Sequence, residues 1–357
     1  MLRTAPHRGQ FRLFVTPSGE IVAPDLAVPL LPIIQAVAED DALPSIERIA
    51  CAAKNPKLAR TKLAATHHSV ATLRSLPTFE LWSIHGTALR QSSCNDSFRG
   101  ASLLDIKVEL GLRILQRCTL CEHRCHVDRT VGQTGFCQLT EGVGVAGYTL
   151  LYNEGPLVGQ PTFGMFLKGC SLRCRFCYRP EDLQARNHPQ LPPEHIASIL
   201  DQAADAGAES WHFLGGNPDE SLVGVLQALR ATTFNLPVVW NSALYLSREG
   251  IELLKGVVDV WLPDFKFGNN DCARRESGVS NYFWIIQRNL LALAREDLVV
   301  IRHMSQPGHE SCCQAVVVNW IAEHMPQATF HGLECFMTAK PQRPCYDGTN
   351  GSSEEPY

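Results

Sequence analysis

Cys170, Cys174 and Cys177 stand at C-x3-C-x2-C spacing in the run Gly-Cys-Ser-Leu-Arg-Cys-Arg-Phe-Cys-Tyr that ends at Tyr178. Thiolates are soft ligands that select iron–sulfur clusters or zinc. A structural zinc site closes with four ligands, and this loop has no fourth cysteine nearby; the next histidine is His188. Three thiolates can instead hold three irons of a cubic 4Fe–4S cluster and leave the fourth iron open to a small molecule. The usual four-thiolate cluster only passes electrons. A zinc knuckle is the other use for such a loop, and its ligand count does not close locally.

A second group, Cys118, Cys121 and Cys125 at C-x2-C-x3-C spacing with Cys137 twelve residues on, offers four thiolates. Four close a tetrahedron, so this module is a metal site for zinc, a second iron–sulfur cluster or mononuclear iron. His123 or His126 can replace one thiol. The other seven of the fourteen cysteines are scattered. Tight cysteine groups in a long chain read as metal ligands rather than as a disulfide scaffold, which places the protein in a reducing cytoplasm. His67-His68 lacks a third ligand and reads as a solvated pair.

The elements that position these groups follow from patterning. Helices are expected over 103–116, 193–206, 221–231, 247–255, 281–295 and 313–324, with Ser247 as an N-cap. Strands are expected over 162–168, 210–214, 237–241, within 257–267, and over 298–302 and 329–336. Six strands with helices between them predict a parallel α/β sheet of βαβ units. Six are fewer than the eight of a closed barrel, so an open (β/α)6 partial barrel fits, with a flat doubly wound sheet as the alternative. Upstream, 11–16 and 20–23 around Pro-Ser-Gly read as a hairpin, 29–41 and 44–54 as helices, and 74–100 as a linker or irregular segment. The division expected is an N-terminal extension (1–100), a Cys-rich module (101–145), a barrel (150–337) and a mobile tail (338–357).

In such folds ligands bind at the C-terminal ends of the strands, and polar residues collect there. Gly215-Gly216-Asn217-Pro218 follows the second strand; paired glycines let backbone groups approach a ligand, although the same run is also a plain turn. Asn241-Ser242 ends the third strand. Asp264 and Lys266, two apart, share one face of the fourth. Arg302 ends the fifth with a planar fork suited to a carboxylate, and His303 alternates to the other face.

The cysteine loop and these strand ends, in this order over 160–310, resemble the radical SAM superfamily. The resemblance implies a partial (β/α)6 barrel whose 4Fe–4S cluster, on Cys170, Cys174 and Cys177, chelates S-adenosylmethionine (SAM) at its open iron. Reductive cleavage then yields a 5′-deoxyadenosyl radical that takes hydrogen from a substrate. It implies a SAM amino-group site at Gly215, Gly216 and Asn217, where the family carries Gly-Gly-Glu-Pro and this chain has Asn. Asn241, Asp264, Lys266 and Arg302 are implied as further SAM contacts. Asp-x-Lys, and Arg with Pro-Gly after it, are similar to glycyl-radical activating enzymes. Cys118 to Cys125, Val127, Arg129 and Gly132 to Cys137 resemble the pyruvate formate-lyase-activating-enzyme-like subfamily. That implies a protein glycine as substrate, with another protein, a peptide or a small molecule as alternatives, and an electron donor such as flavodoxin or ferredoxin. A non-enzymatic iron–sulfur or zinc protein of electron transfer or assembly is the competing function, and it has no use for polar residues at the strand ends.

Composition agrees. At 357 residues, 45% hydrophobic and 19% charged, the chain buries a full core. A net charge of −4 argues against a nucleic-acid surface, and no apolar run is long enough to span a membrane.

Overall fold

The computed structural model describes residues 56–90, 99–152, 161–183, 185, 189–296 and 298–334, with the backbone of 14–15 and 21–22. The helices expected over 29–41 and 44–54 and the tail 338–357 lie outside the described residues. Strands β1 (Phe14–Val15) and β2 (Ile21–Val22) pair antiparallel, Phe14 opposite Val22, as the Pro-Ser-Gly turn predicts.

Helices α1 (Lys57–Thr61), α2 (Val70–Ser75), α3 (Thr78–Arg90) and α4 (Leu103–Gln116) come next. Segment 74–100 is therefore not wholly irregular. Leu81, His85 and Ala88 form one buried face of α3, and the Ser83 and Thr87 that suggest a linker are its solvent face. Helix α4 starts with a capping box: Asp105 N donates to Ser102 Oγ at 3.0 Å and Ser102 N to Asp105 Oδ2 at 2.9 Å. Its Lys107 is fully buried, with Nζ 2.9 Å from His85 Nε2 and donating to Glu252 O at 2.8 Å.

The sheet carries the expected strands. β3 (Val143–Leu151) and β5 (Gln190–Leu191) form an antiparallel edge beside β4 (Thr162–Leu167). From β4 the strands run parallel through β6 (Ser210–Gly215), β7 (Val238–Ser242) and β8 (Val260–Pro263). Parallel bridges Trp261–Val299 and Asp264–Arg302 pass the arc on to β9 (Val300–Ser305), which pairs in parallel with β10 (Thr329–Glu334). Six parallel strands thus follow one another in chain order, an open arc of the partial-barrel kind.

Helices α5 (Pro193–Asp205), α6 (Leu222–Ala231), α7 (Arg248–Leu254), α8 (Asn270–Ser277), α9 (Tyr282–Ala292) and α10 (Ala315–His324) lie between these strands. Helix α5 buries Ile196, Ile199, Leu200 and Ala203, one helical face. Ser247 caps α7, accepting from Gly250 N at 3.2 Å. Trp211, Trp240 and Trp261, one on each of β6, β7 and β8, are the largest fully buried side chains. Beyond helices α1 to α3 and the short strand β5, two further elements, β3 and α8, escape patterning. Gly144 and Gly147 hide β3 because glycine is depleted in strands. The polar run Asn-Asp-Cys-Ala-Arg-Arg-Glu-Ser hides α8, although its ends carry ordinary stop signals: Asn269 as N-cap and Gly278 with φ +77°.

Candidate functional site

The cysteine loop leaves β4 through Gly169, whose φ of +84° suits glycine. The loop is fastened to α8, with Arg173 N donating to Ser277 O at 3.0 Å and Arg175 N to Glu276 O at 2.8 Å. Within it, Leu172 N donates to Cys170 Sγ at 3.3 Å and Cys177 N to Cys174 O at 3.1 Å. Cys170 is buried and Cys174 and Cys177 half-buried. Burial raises the pKa of all three thiols, that of Cys174 to about 12, with Cys174 adding to the rise at Cys170, and Cys177 to the rise at Cys174. The ammonium of Lys266 opposes the rise at each of them. The charge of one cation therefore acts on all three thiols.

Lys266 is the end of a chain of polar groups over β7, β8 and β9. Its Nζ donates to Asp264 Oδ2 at 2.7 Å. Asp264 Oδ1 accepts from Arg302 Nε at 2.9 Å and Nη2 at 2.6 Å. Arg302 Nη2 also donates to Asn241 Oδ1 at 2.5 Å. Burial alone would raise the Asp264 pKa, but Arg302 and Lys266 outweigh it and hold the carboxyl at about 2. Burial would lower Lys266, yet Asp264 and Cys174 hold it above its ordinary value. The four residues make one network with one positive charge in excess. Among the described residues, Arg302 Nη1 and two of the three Lys266 ammonium hydrogens have no hydrogen-bond partner.

The Gly215-Gly216-Asn217 segment lies on the other side of the loop. Gly215 has φ +111°, and a Cβ there would meet Leu167 N at 2.4 Å. Gly216 N donates to Leu167 O at 2.7 Å, and a Cβ on it would meet Gly169 O at 2.7 Å. Only glycines let this segment lie against the exit of β4. Asn217 is buried and its amide is engaged: Nδ2 donates to Asp219 Oδ2 and Glu220 Oε1, both at 3.1 Å, and Oδ1 accepts from Ala243 N at 3.0 Å. His303 is buried on the opposite face from Arg302, its Nδ1 2.6 Å from Phe265 O.

Two histidines that sequence reasoning overlooks adjoin this network. His212 on β6 is buried, with Nε2 3.3 Å from Asn241 Nδ2 and Nδ1 without a partner. Burial and then Arg302 lower its pKa to about 3. His331 on β10 stands opposite Arg302 in the register, and burial and Arg302 lower it to about 4. A lone histidine inside the apolar strand Ser-Trp-His-Phe-Leu-Gly is the signal available for the first.

The second cysteine group packs on the first. Cys118 N donates to Val127 O and His126 N to Cys118 O, each at 2.9 Å. Arg124, His126 and Gln138 have positive φ, so the module's backbone is locally strained. Burial raises Cys121 and Cys137, with Cys118 adding at both and Cys137 adding at Cys121. Cys125 is pressed against Gly135, where a Cβ would meet its Sγ at 2.8 Å. His123 Nε2 lies 2.6 Å from Ser171 O, and Arg173 sits 4.2 Å over the Phe136 ring while Nη2 donates to Phe136 O at 2.6 Å. Buried Arg129 Nη2 donates to Thr140 O at 2.6 Å and Glu220 O at 2.9 Å. After burial, the carboxylate of Glu220 helps raise Cys121, Cys137 and Cys170, so it acts on both groups.

Residues 165–310 match the family model of the radical SAM superfamily. An uncharacterized protein of Methanocaldococcus jannaschii, MJ0674, is 37% identical over 272 residues, 72% of this chain and 79% of that protein. The chain belongs to the radical SAM superfamily. Members are enzymes, and membership implies a 4Fe–4S cluster and SAM. Solved structures similar to this radical SAM chain include SuiB of Streptococcus suis bound to S-adenosylmethionine, at 16% identity and a TM-score of 0.39, covering 48% of this chain and 39% of SuiB. SuiB bound to its precursor peptide SuiA is 18% identical with a TM-score of 0.36, over 43% of this chain and 35% of that one. The residues here fit the implied groups. Three desolvated thiols feel the charge of one cation whose network keeps unspent donors, and a glycine segment is packed so closely that a Cβ would collide. Among the described residues, no helix is long and apolar enough to cross a membrane.

Proposed function

We propose that this chain is a SAM-cleaving enzyme. Cys170, Cys174 and Cys177 hold a 4Fe–4S cluster, and Gly215, Gly216, Asn217, Asn241, Asp264, Lys266 and Arg302 bind SAM. When bound, the reduced cluster and SAM supply a radical that removes hydrogen from an unactivated carbon. The convergence of the Asn241–Arg302–Asp264–Lys266 network on the cysteine loop carries the reading.

The protein's part is to bind, orient and exclude water. Its excess positive charge, with Arg302 Nη1 and the remaining Lys266 hydrogens as donors, suits the SAM carboxylate. Backbone carbonyls of the glycine segment suit the ammonium group. Asn217 can add its own carbonyl or the second lone pair of its amide oxygen. The low polarity around the thiols strengthens each of these interactions.

Cys118, Cys121, Cys125 and Cys137 are proposed to hold a second metal, zinc or iron–sulfur. The substrate is proposed to be a backbone glycine of a partner protein, reached in the cytoplasm with an electron donor such as flavodoxin or ferredoxin. This rests on the likeness of Asp264-x-Lys266, and of Arg302 with Pro307-Gly308, to activating enzymes.

The test is anaerobic reconstitution with iron and sulfide, then dithionite and SAM, with 5′-deoxyadenosine measured. Formation of the product in the native protein and its loss in Cys174→Ala are expected. Product persisting in Cys174→Ala refutes the assignment, and a native protein that takes up iron but yields none is an electron carrier.

A further inference from the structure

Three of the scattered cysteines come together in space. Cys272 lies in the first turn of α8, and Cys312 and Cys313 lie in the wide turn Glu310–Gln314 that follows β9. With His309 they bring four ligand atoms within 4.8 Å of one another. We propose that Cys272, His309, Cys312 and Cys313 bind a structural zinc ion.

The spacing is that of a tetrahedron. With Zn–S at about 2.3 Å and Zn–N at about 2.05 Å, tetrahedral edges are about 3.8 Å between sulfurs and about 3.6 Å between sulfur and nitrogen. Cys272 Sγ and Cys312 Sγ are 3.7 Å apart, and His309 Nδ1 is 3.5 Å from both Cys312 Sγ and Cys313 Sγ. The sulfur–sulfur distance is far longer than the roughly 2.05 Å of a disulfide. Three thiols and an imidazole grouped at this spacing are the donor set of a closed Cys3His zinc site.

The backbone is shaped for this cluster. Cys313 N and Gln314 N both donate to His309 O, at 2.9 and 3.1 Å, and the second bond widens the turn by one residue, as single π-turns at functional sites do. Gly268 lets the two segments touch, since a Cβ there would meet Cys312 O and Cys313 Cα at 2.6 Å. Asn269 Nδ2 donates to Cys312 O at 2.9 Å while Asn269 Oδ1 accepts from Cys272 N at 2.7 Å. Three thiolates, a neutral imidazole and Zn²⁺ carry one net negative charge. Arg275 Nη2 donates to Cys272 Sγ at 3.3 Å outside the ligands, and its guanidinium is shared between that sulfur and Glu276 Oε1, 3.0 Å from Nε.

The site is a staple next to the radical chemistry. It joins the exit of β9, which carries Arg302, to the N-terminus of α8. The C-terminal end of α8 accepts the backbone amides of Arg173 and Arg175 from the cluster loop. Fixing α8 at one end fixes the support of the cysteines at the other.

Zinc and iron are to be measured separately in full-length protein, native and Cys312→Ser. The variant is expected to lose about one zinc per chain, as removal of a ligand from a closed site does; unchanged zinc overturns the proposal. Should the variant not fold, thiol mapping on the native protein decides. Half-buried Cys312 is expected to resist alkylation until a zinc chelator is added, then to react together with Cys272 and Cys313. Alkylation of Cys312 before chelation, or recovery of a Cys272–Cys312 disulfide from the native protein, overturns it.

Discussion

Replacing Asp264 by Asn tests whether the strand-end network is electrostatic in origin. Asp264 accepts three hydrogen bonds from Arg302 and Lys266, and its side chain is 23% exposed. Its carboxyl falls from 3.8 to about 2 in the fold, which at about 1.4 kcal/mol per pKa unit makes the ionised form worth roughly 2.5 kcal/mol of stability at neutral pH. An Asn keeps one acceptor for Arg302 but turns an amide or a neutral oxygen toward Lys266, leaving two adjoining cations under-compensated. The folded pKa lies below the unfolded one, so this stability is fully present above about pH 4 and is lost as pH falls toward 2. Urea unfolding of native and Asp264→Asn protein, run anaerobically across a pH series, reads the gap directly. It should hold near 2–3 kcal/mol from pH 7 to 5 and shrink to about half near pH 3. A gap under about 1 kcal/mol at pH 7, or one that does not change between pH 5 and 3, would refute the reasoning.

The remaining predictions concern the core and the cofactor cradle. Burial lowers the Lys107 pKa to about 7, with the cation field of Lys255 adding and Glu252 and Glu296 opposing. The folded value is below the unfolded 10.5, so the unfolded chain holds more protons between them and native stability should rise with pH by roughly 1 kcal/mol per unit from 7 to 10. Lys107→Met should remove that slope, as read from thermal unfolding at several pH values; an unchanged slope assigns it elsewhere. Gly216→Ala places a Cβ 2.7 Å from Gly169 O and 3.1 Å from Leu167 O. A forced shift of this kind costs about 1–3 kcal/mol, and SAM binding to the reconstituted protein, followed by calorimetry, should weaken tenfold or more. Equal affinity would show that the segment does not touch SAM.

Much of this architecture is legible because parallel βα repeats place each strand's end at one rim, so residues far apart in sequence become neighbours by rule. Asn241, Asp264 and Arg302 could be read for that reason, each being the polar residue that ends an apolar run. The cysteine loop is readable for a simpler one: Cys170, Cys174 and Cys177, the proposed ligands, lie within eight residues of one loop. Where neither rule applies, sequence falls silent. His331 reaches Arg302 only through the β9–β10 register. Asn217 stands where an acceptor for SAM is expected, but the turn folds its amide onto Asp219, Glu220 and Ala243.

The Cys272–His309–Cys312–Cys313 group is the extreme case. Cys272 is separated from the other three by 37 to 41 residues and by helix α9, and it lies on a helix too polar to show in the hydrophobic pattern. Scattered cysteines in such a chain look idle until topology is known. Here the topology delivers them to one point because β8 and β9 are neighbours in the arc. The segments leaving those two strands must then pass each other, and Gly268 is what lets them do so at contact distance. The same adjacency brings Arg302 to Asp264 in the strands themselves. The polar network at the strand ends and the proposed zinc staple beyond them are therefore two consequences of a single strand pairing. A substitution that parts β8 from β9 should disturb both together, whereas loss of the zinc alone should leave the Arg302–Asp264 ion pair formed.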